Sequence, residues 1–172
     1  MNTTIFPIGV RRDGSYYTRI EWASHTVTDP LIWVNNLIDD DTERNGGTWG
    51  ANTMGPADVV LSFFGEEQSI SKIRIFHNVG VPHSVLEELA ETINLYAGSD
   101  EAVRALRSAE SKISDAAWDK FLTCKMEKRE GWFEFVLEKP VNAKFVRMEL
   151  VKNFGTLPDC PWTETSEIKI YP

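Results

Sequence analysis

Three groups of side chains in this sequence are of the kinds that hold ligands or make bonds. The first is the run Asn36-Leu-Ile-Asp-Asp-Asp-Thr42, which sets Asp39 and Asp41 alternately in a loop. A hard cation such as Ca2+ takes about six to eight oxygens, a few carboxylates among them, from a chain that curls around it. The same spacing also suits a solvated turn in which each Asp accepts from the backbone amide two residues on. The residues by themselves leave both readings open. The second group pairs rings with planar polar groups. One stretch carries Trp22, His25 and Trp33, another His77, Asn78 and His83, and a third runs from Asn153-Phe154-Gly155 to Trp162. A ring laid under the C–H face of a sugar, with amides, imidazoles or carboxylates at the hydroxyl rim, is how a protein holds a carbohydrate.

The third group would be catalytic, and here the patterns are missing. The three histidines have no His-x-x-x-His spacing. Ser84 follows His83, but no Gly-x-Ser-x-Gly turn presents it. There is no glycine-rich phosphate loop, and Glu87, Glu88 and Glu91 fall on a short helical turn facing water. The chemistry legible here is binding rather than bond breaking, and the chain reads as no enzyme. Each aromatic or imidazole also has a purely structural reading. Trp22 and Trp33 suit the core or its edge, His77 a buried hydrogen-bonded position and Phe154 a plug in the sandwich end, while Trp49, Trp118 and Trp132 read as core.

A chain of 172 residues is long enough for one domain with a real core, residues 1–172, read as a module cut from a larger protein. The formal net charge of −8, with no Lys/Arg cluster, argues against nucleic acid and against electrostatic docking on anionic lipid. A neutral ligand fits better. No apolar run is long enough to span a membrane, and the first residues lack the basic and apolar regions of a signal peptide. Cys124 and Cys160 could pair or stay free.

The elements that must position these residues are strands. Val59–Phe64, Ser69–Phe76, Thr92–Ala97, Trp132–Leu137, Lys144–Leu150 and Ser166–Tyr171 alternate or run apolar, with turns at Gly65, Gly98, Glu138-Lys-Pro140 and Gly155. In the strand Lys144–Leu150 the period puts Val146, Met148 and Leu150 inward and Arg147 and Glu149 outward. Period-two strands without alternating helices describe an all-β antiparallel β-sandwich. One helix is inserted near 101–117, with Ala102, Leu106, Ala109, Ile113 and Ala117 on one face.

Four of these segments, in order, resemble the coagulation factor V/VIII type C, or discoidin, domain, a galactose-binding-like jelly roll, and within it the bacterial carbohydrate-binding modules of family 32. Asn36-Leu-Ile-Asp39 with Asp41 and Thr48-Trp49 is similar to the family's Asn-Ala-Ile-Asp-Gly-Asp…Thr-x-Trp signature. Ser69–Ile75, Ala143–Glu149 and Glu167-Ile-Lys-Ile-Tyr171 are similar to its later strands. Asp40 stands where the family often has Gly, and extra residues precede Thr48. The cysteines do not sit at the domain ends as in the animal proteins, which favours the bacterial branch. The resemblance implies a structural Ca2+ held by Asp39, Asp41, Thr48 and Glu167, with Thr42 the rival of Thr48. It implies a sugar site on loops at one end of the sandwich, with Asn153 and Phe154 ranked first, His77 and Asn78 second, and Trp162, Trp22 and His25 third. It implies a non-catalytic, monomeric, secreted or cell-surface module that recognises a terminal galactose-type or N-acetylated sugar and brings a tethered glycoside hydrolase to glycans. The alternative is an adhesion module for a protein or phospholipid surface.

Overall fold

A computed structural model describes residues 9–43, 47–79, 84–108, 113, 115–155 and 161–172. Among the described residues ten strands carry the fold: β1 (Arg19–Ala23), β2 (Trp49–Ala51), β3 (Ala57–Ser62), β4 (Gln68–His77), β5 (Ala90–Gly98), β6 (Trp118–Lys125), β7 (Gly131–Ala143), β8 (Phe145–Asn153), β9 (Thr163–Thr165) and β10 (Glu167–Tyr171). One five-stranded sheet has the order β1-β3-β8-β5-β6, a second has β10-β4-β7, and β2 pairs with β9. Every ladder between these strands is antiparallel. The expected β-sandwich is what forms.

The alternation read from the sequence sets which face is buried. Ile73 and Ile75 of β4, Val146, Met148 and Leu150 of β8, Ile93 and Leu95 of β5, and Ile168 and Ile170 of β10 meet between the sheets. A second, smaller cluster lies on the outside of the five-stranded sheet. There α1 (Asp100–Ser108) lays Ala102, Val103 and Leu106 on Val60, Tyr96, Trp118 and Phe145, with Trp22 packed at the edge. Ser99 caps this helix, its hydroxyl accepting from Ala102 N at 3.4 Å. Asp100 and Glu101 in the first turn suit the positive end of the helix dipole. Gly98 is demanded by close approach, because a Cβ there would lie 2.2 Å from the Trp118 ring.

Several expectations need correction. The helix ends at Ser108, and Asp115–Ala117 forms a separate 3-10 turn with Ala117 exposed; Ala109 lies outside the described residues. Leu106 completes the face that α1 can bury. The expected turn at 138–140 lies inside β7. There Val141 pairs with Ile70 but Val136 with Lys72, so the intervening residues bulge from the ladder. A bulge is where a strand tolerates a proline, which has no N–H to give. Arg147 is buried rather than solvated, because Asp58 and Asp115 cover it. Trp33 is 47% exposed, not core. Trp132 lies on the outer face of β7, its ring tilted against Phe76 with Arg74 stacked 4.4 Å from its centre. Cys124 is a buried free thiol, and burial pushes its pKa up to about 12; Cys160 lies outside the described residues.

Candidate functional site

Antiparallel pairing decides which loops share an end. His77 ends β4, Asn153 ends β8, Gly131 starts β7 and Glu167 starts β10. The described parts of the connections 24–56, 78–89, 126–130 and 154–166 therefore lie at one end of the sandwich. Backbone contacts tie them together. Phe154 N donates to Leu89 O at 3.2 Å, Leu89 bridges Glu164, and Ser166 N donates to Phe76 O. His25 O accepts from the indole of the buried Trp49 at 3.2 Å.

The acidic loop follows a 3-10 turn, Val34–Ile38. Asn36 anchors it: its amide donates to Pro30 O at 2.9 Å and Thr48 O at 3.0 Å. Gly47 leaves room for this, since a Cβ there would meet the Asn36 amide at 2.1 Å. Asp40, at the family's Gly position, has φ of +66°, a left-handed conformation that Asp tolerates better than most residues. Asp39 accepts from Asp41 N at 2.9 Å, and Asp41 from Glu43 N at 3.0 Å. The amide-capping turn is thus present.

Glu167 lies beneath the loop, fully buried, and accepts from Asp40 N at 3.2 Å. Its other oxygen, Oε1, is buried with no hydrogen-bond partner, and the nearest cation, Arg11, stands 3.8 Å away. Burial pushes its pKa up to about 8, against the pull of Arg11, and the negative charge of Asp39 pushes the same way. Asp39 is itself raised, by burial first and then by Asp41 and Asp40. Thr48, also buried, donates to Thr165 O at 2.8 Å, so its oxygen keeps acceptor capacity. Ser166 Oγ donates to that oxygen at 3.4 Å, and Thr165 Oγ1 is buried with no partner. The two orphaned atoms, Glu167 Oε1 and Thr165 Oγ1, are hard oxygen donors of the kind that Ca2+ takes. Among the described residues no three His, Cys, Asp or Glu side chains converge as a metal group. An ion here would complete its shell from hydroxyl and backbone oxygens. Two internal cations also serve this loop: Arg11 donates to Ile38 O at 2.8 Å, and Lys169 holds Asp40 and Asp13.

The ligand candidates divide. Asn153 is buried as a brace, its amide donating to Trp162 O at 2.7 Å and its carbonyl accepting from Gly155 N at 3.0 Å. Phe154 is half-buried against the main core. His77 is fully buried, edge-on to Phe133 with 5.5 Å between ring centres; neither ring nitrogen has a partner, and burial, with Arg129 adding, pushes its pKa down to about 3. Trp22 sits under α1 on the other face. Those positions support loops more than they meet a ligand. Asn78, with its amide on Glu43 O, lines a shallow cleft of about 470 Å³ with Thr42, Phe76, Glu130 and Gly131. Glu130 is fixed there by Val79 N at 2.9 Å. His25, half-buried, shares a 2.7 Å hydrogen bond with Ser24. Trp162 is half-buried. His83 lies outside the described residues.

Sequence reasoning missed Glu164. This carboxylate is buried between β2 and the 84–89 segment, with Ser84 donating to it at 2.6 Å. Burial raises its pKa to about 7, Ser84 opposes that, and the charge of Glu88 adds to it. In Trp162-Thr-Glu-Thr-Ser-Glu167 no apolar alternation signals burial. Ile32 packs against Gly50 above Glu164, and the exposed rings and chains of Trp33, Leu31, Met54 and Val85 belong to the same set of loops.

These loops thus gather at one end of an antiparallel β-sandwich. No protein-family model and no curated protein sequence matches the chain. Solved structures do match it over nearly its whole length. The family 32 carbohydrate-binding module of Clostridium perfringens NanJ, in complex with galactose, superposes with a TM-score of 0.64 at 11% identity, covering 91% of this chain and 94% of that one. A family 32 module, CpGH89CBM32-5 from the same organism, in complex with GalNAc-β-1,3-galactose, gives 0.63 at 10% identity over 90% and 94%. The fucolectin of striped bass (Morone saxatilis) serum gives 0.63 at 10% identity over 90% of this chain and 46% of that one. At these identities the likeness establishes the fold, the one the sequence resemblance implied.

Proposed function

We propose that this chain is a non-catalytic carbohydrate-binding module that holds a terminal sugar, galactose-type or N-acetylated, on the loop end. The observation that carries the reading is the joint presence there of an exposed ring, Trp33, and amide, hydroxyl and carboxylate groups at Asn78, Thr42 and Glu130. A ring for the C–H face and a polar rim for the hydroxyls are what such a sugar needs. The solved neighbours that carry galactose and GalNAc-galactose support the choice of sugar. As a monomeric extracellular module it would raise the local concentration of a tethered glycoside hydrolase at a glycan surface. A structural Ca2+ on Asp39, Asp41, Thr48 and Glu167 belongs to the same proposal, supported by the orphaned Glu167 oxygen.

A glycan array tests it. The wild type should be retained on galactose- or GalNAc-terminated glycans. Trp33→Ala should lose affinity by at least about tenfold, roughly 1.4 kcal/mol, while stability stays within about 0.5 kcal/mol because the ring is exposed. Binding to no glycan, with capture on phosphatidylserine vesicles, would replace this reading with the adhesion alternative.

A further inference from the structure

The opposite end of the sandwich carries a cavity of about 340 Å³ lined by Gly9, Tyr17, Phe63, Phe64, Glu66 and Gln68. Its position follows from the β1–β3 ladder. Arg19 pairs with Ser62 at the outermost rung, and the chain on either side continues outward to Tyr17 and Phe64. The floor is fixed. Tyr16 is buried edge-on to Phe63, 5.3 Å between ring centres, and its hydroxyl donates to Ser69 O at 2.8 Å. Tyr17 N donates to Gly9 O at 2.9 Å.

The two rings above that floor are left in water, Tyr17 51% exposed and Phe64 62%. Phe64 is the more telling. Glu66 N donates to Phe63 O at 3.2 Å, and Phe64 and Gly65 have φ of +57° and +92°. Two successive positive φ values make the hairpin turn whose first slot suits Asn, Asp or Gly. A phenylalanine there meets a steric penalty, and its ring recovers little by burial. Such an outlier points to a role for the ring outside the fold.

We propose that this cavity is a second binding site, for a neutral hexose ring. Two exposed rings supply stacking faces, and the Glu66 carboxylate and Gln68 amide supply acceptors and a donor for hydroxyls. The lining itself carries no Lys or Arg. Arg11 stands over the Tyr17 ring, 5.5 Å from its centre, but is engaged by Ile38 O and faces Asp40 and Glu167. The chain carries a net charge of −8, so an anionic headgroup or phosphate is disfavoured. The volume lies within the range of small-molecule sites, about 300 Å³ upward. The site stands independently of the loop-end reading. With both occupied, the module would bridge two points of a glycan surface.

The test is amide NMR with methyl β-D-galactopyranoside and methyl β-D-glucopyranoside as probes, on wild type, Phe64→Asn and Trp33→Ala. With at least one probe, saturable shifts are expected at Tyr17, Gly65, Glu66 and Gln68, retained in Trp33→Ala. Asn accepts the left-handed conformation, so Phe64→Asn should weaken those shifts by at least about tenfold in affinity while raising Tm by a few degrees. Three results would overturn the proposal: no shifts at these amides with either sugar, shifts unchanged in Phe64→Asn, or a lowered Tm in that variant, which would make Phe64 a packing residue.

Discussion

Two regions of this molecule bury acidic groups, and they treat them differently. On the outside of the five-stranded sheet, Arg147 donates to Asp58 at 2.7 Å and Asp115 at 2.6 Å, and stacks 4.5 Å from the centre of the Tyr96 ring. Tyr96 and Asn94 in turn hold Glu149, at 2.8 and 3.0 Å. At the loop end, Glu167 has its cation at 3.8 Å and a buried oxygen with no hydrogen bond, and Arg11 Nε beside it is unpartnered too. Geometry separates the two. Buried charge that is close and hydrogen-bonded is fixed, and offsets part of its desolvation. Buried charge that is near but unbonded stays open to a proton or an ion. The first region locks the 3-10 turn Asp115–Ala117 to the sheet; the second leaves the loop end responsive to solution conditions.

The largest expected effect breaks the first region. Arg147→Ala strands Asp58, whose pKa burial already raises against the pull of Arg147, beside Glu149. Loss of a buried partner of this kind costs about 3–5 kcal/mol, readable as a drop in the denaturation midpoint. A change under about 1 kcal/mol would mean that water reaches Asp58 freely. The next effect sharpens the second region. If Ca2+ completes Glu167, the wild type should gain about 2.7 kcal/mol at a free calcium level 100-fold over its Kd. Chelator should reverse the gain, and Glu167→Gln should abolish it. An unchanged midpoint in chelator would leave Arg11 and Lys169 to hold the loop among the described residues.

The same contrast explains what the sequence made legible. β4, β5, β8 and β10 were readable because a strand with one face on an apolar core must alternate. The pattern in β6 is broken, as expected of an edge strand whose pairing with β5 shifts between Leu95 and Tyr96. β2 and β9 are three residues each, too short for a period. Arg147 was misplaced because alternation reports a face and not what covers it, and here Asp115 arrives from a distant turn. At the loop end the sequence named connections that the structure brings to one end of the sandwich, but not which of their side chains are buried. Asn153 and His77 are buried, while Trp33, read as core or its edge, stands half in solvent. Whether a loop ring points out or in depends on its neighbours in space, which no local pattern encodes.

Glu164 offers the smallest and most selective test of the difference. Its folded pKa of about 7 lies above the ordinary value of 4.5, so the folded protein binds a proton that the unfolded chain releases. Stability from this group is complete below about pH 4.5 and is lost as pH rises through about 7, with a slope of at most about 1.4 kcal/mol per pH unit. Glu167, Asp39 and Asp58 are raised as well and push the whole-protein curve the same way. The informative quantity is therefore the difference between wild type and Glu164→Gln, measured by denaturant unfolding from pH 4.5 to 8, in which the contributions that Glu167, Asp39 and Asp58 make to both proteins cancel. The difference should grow with pH in favour of Gln, which keeps a carbonyl for the Ser84 hydroxyl and carries no charge to desolvate. A flat difference would mean that Glu164 titrates like a solvated acid, with water reaching it between the 84–89 segment and β2.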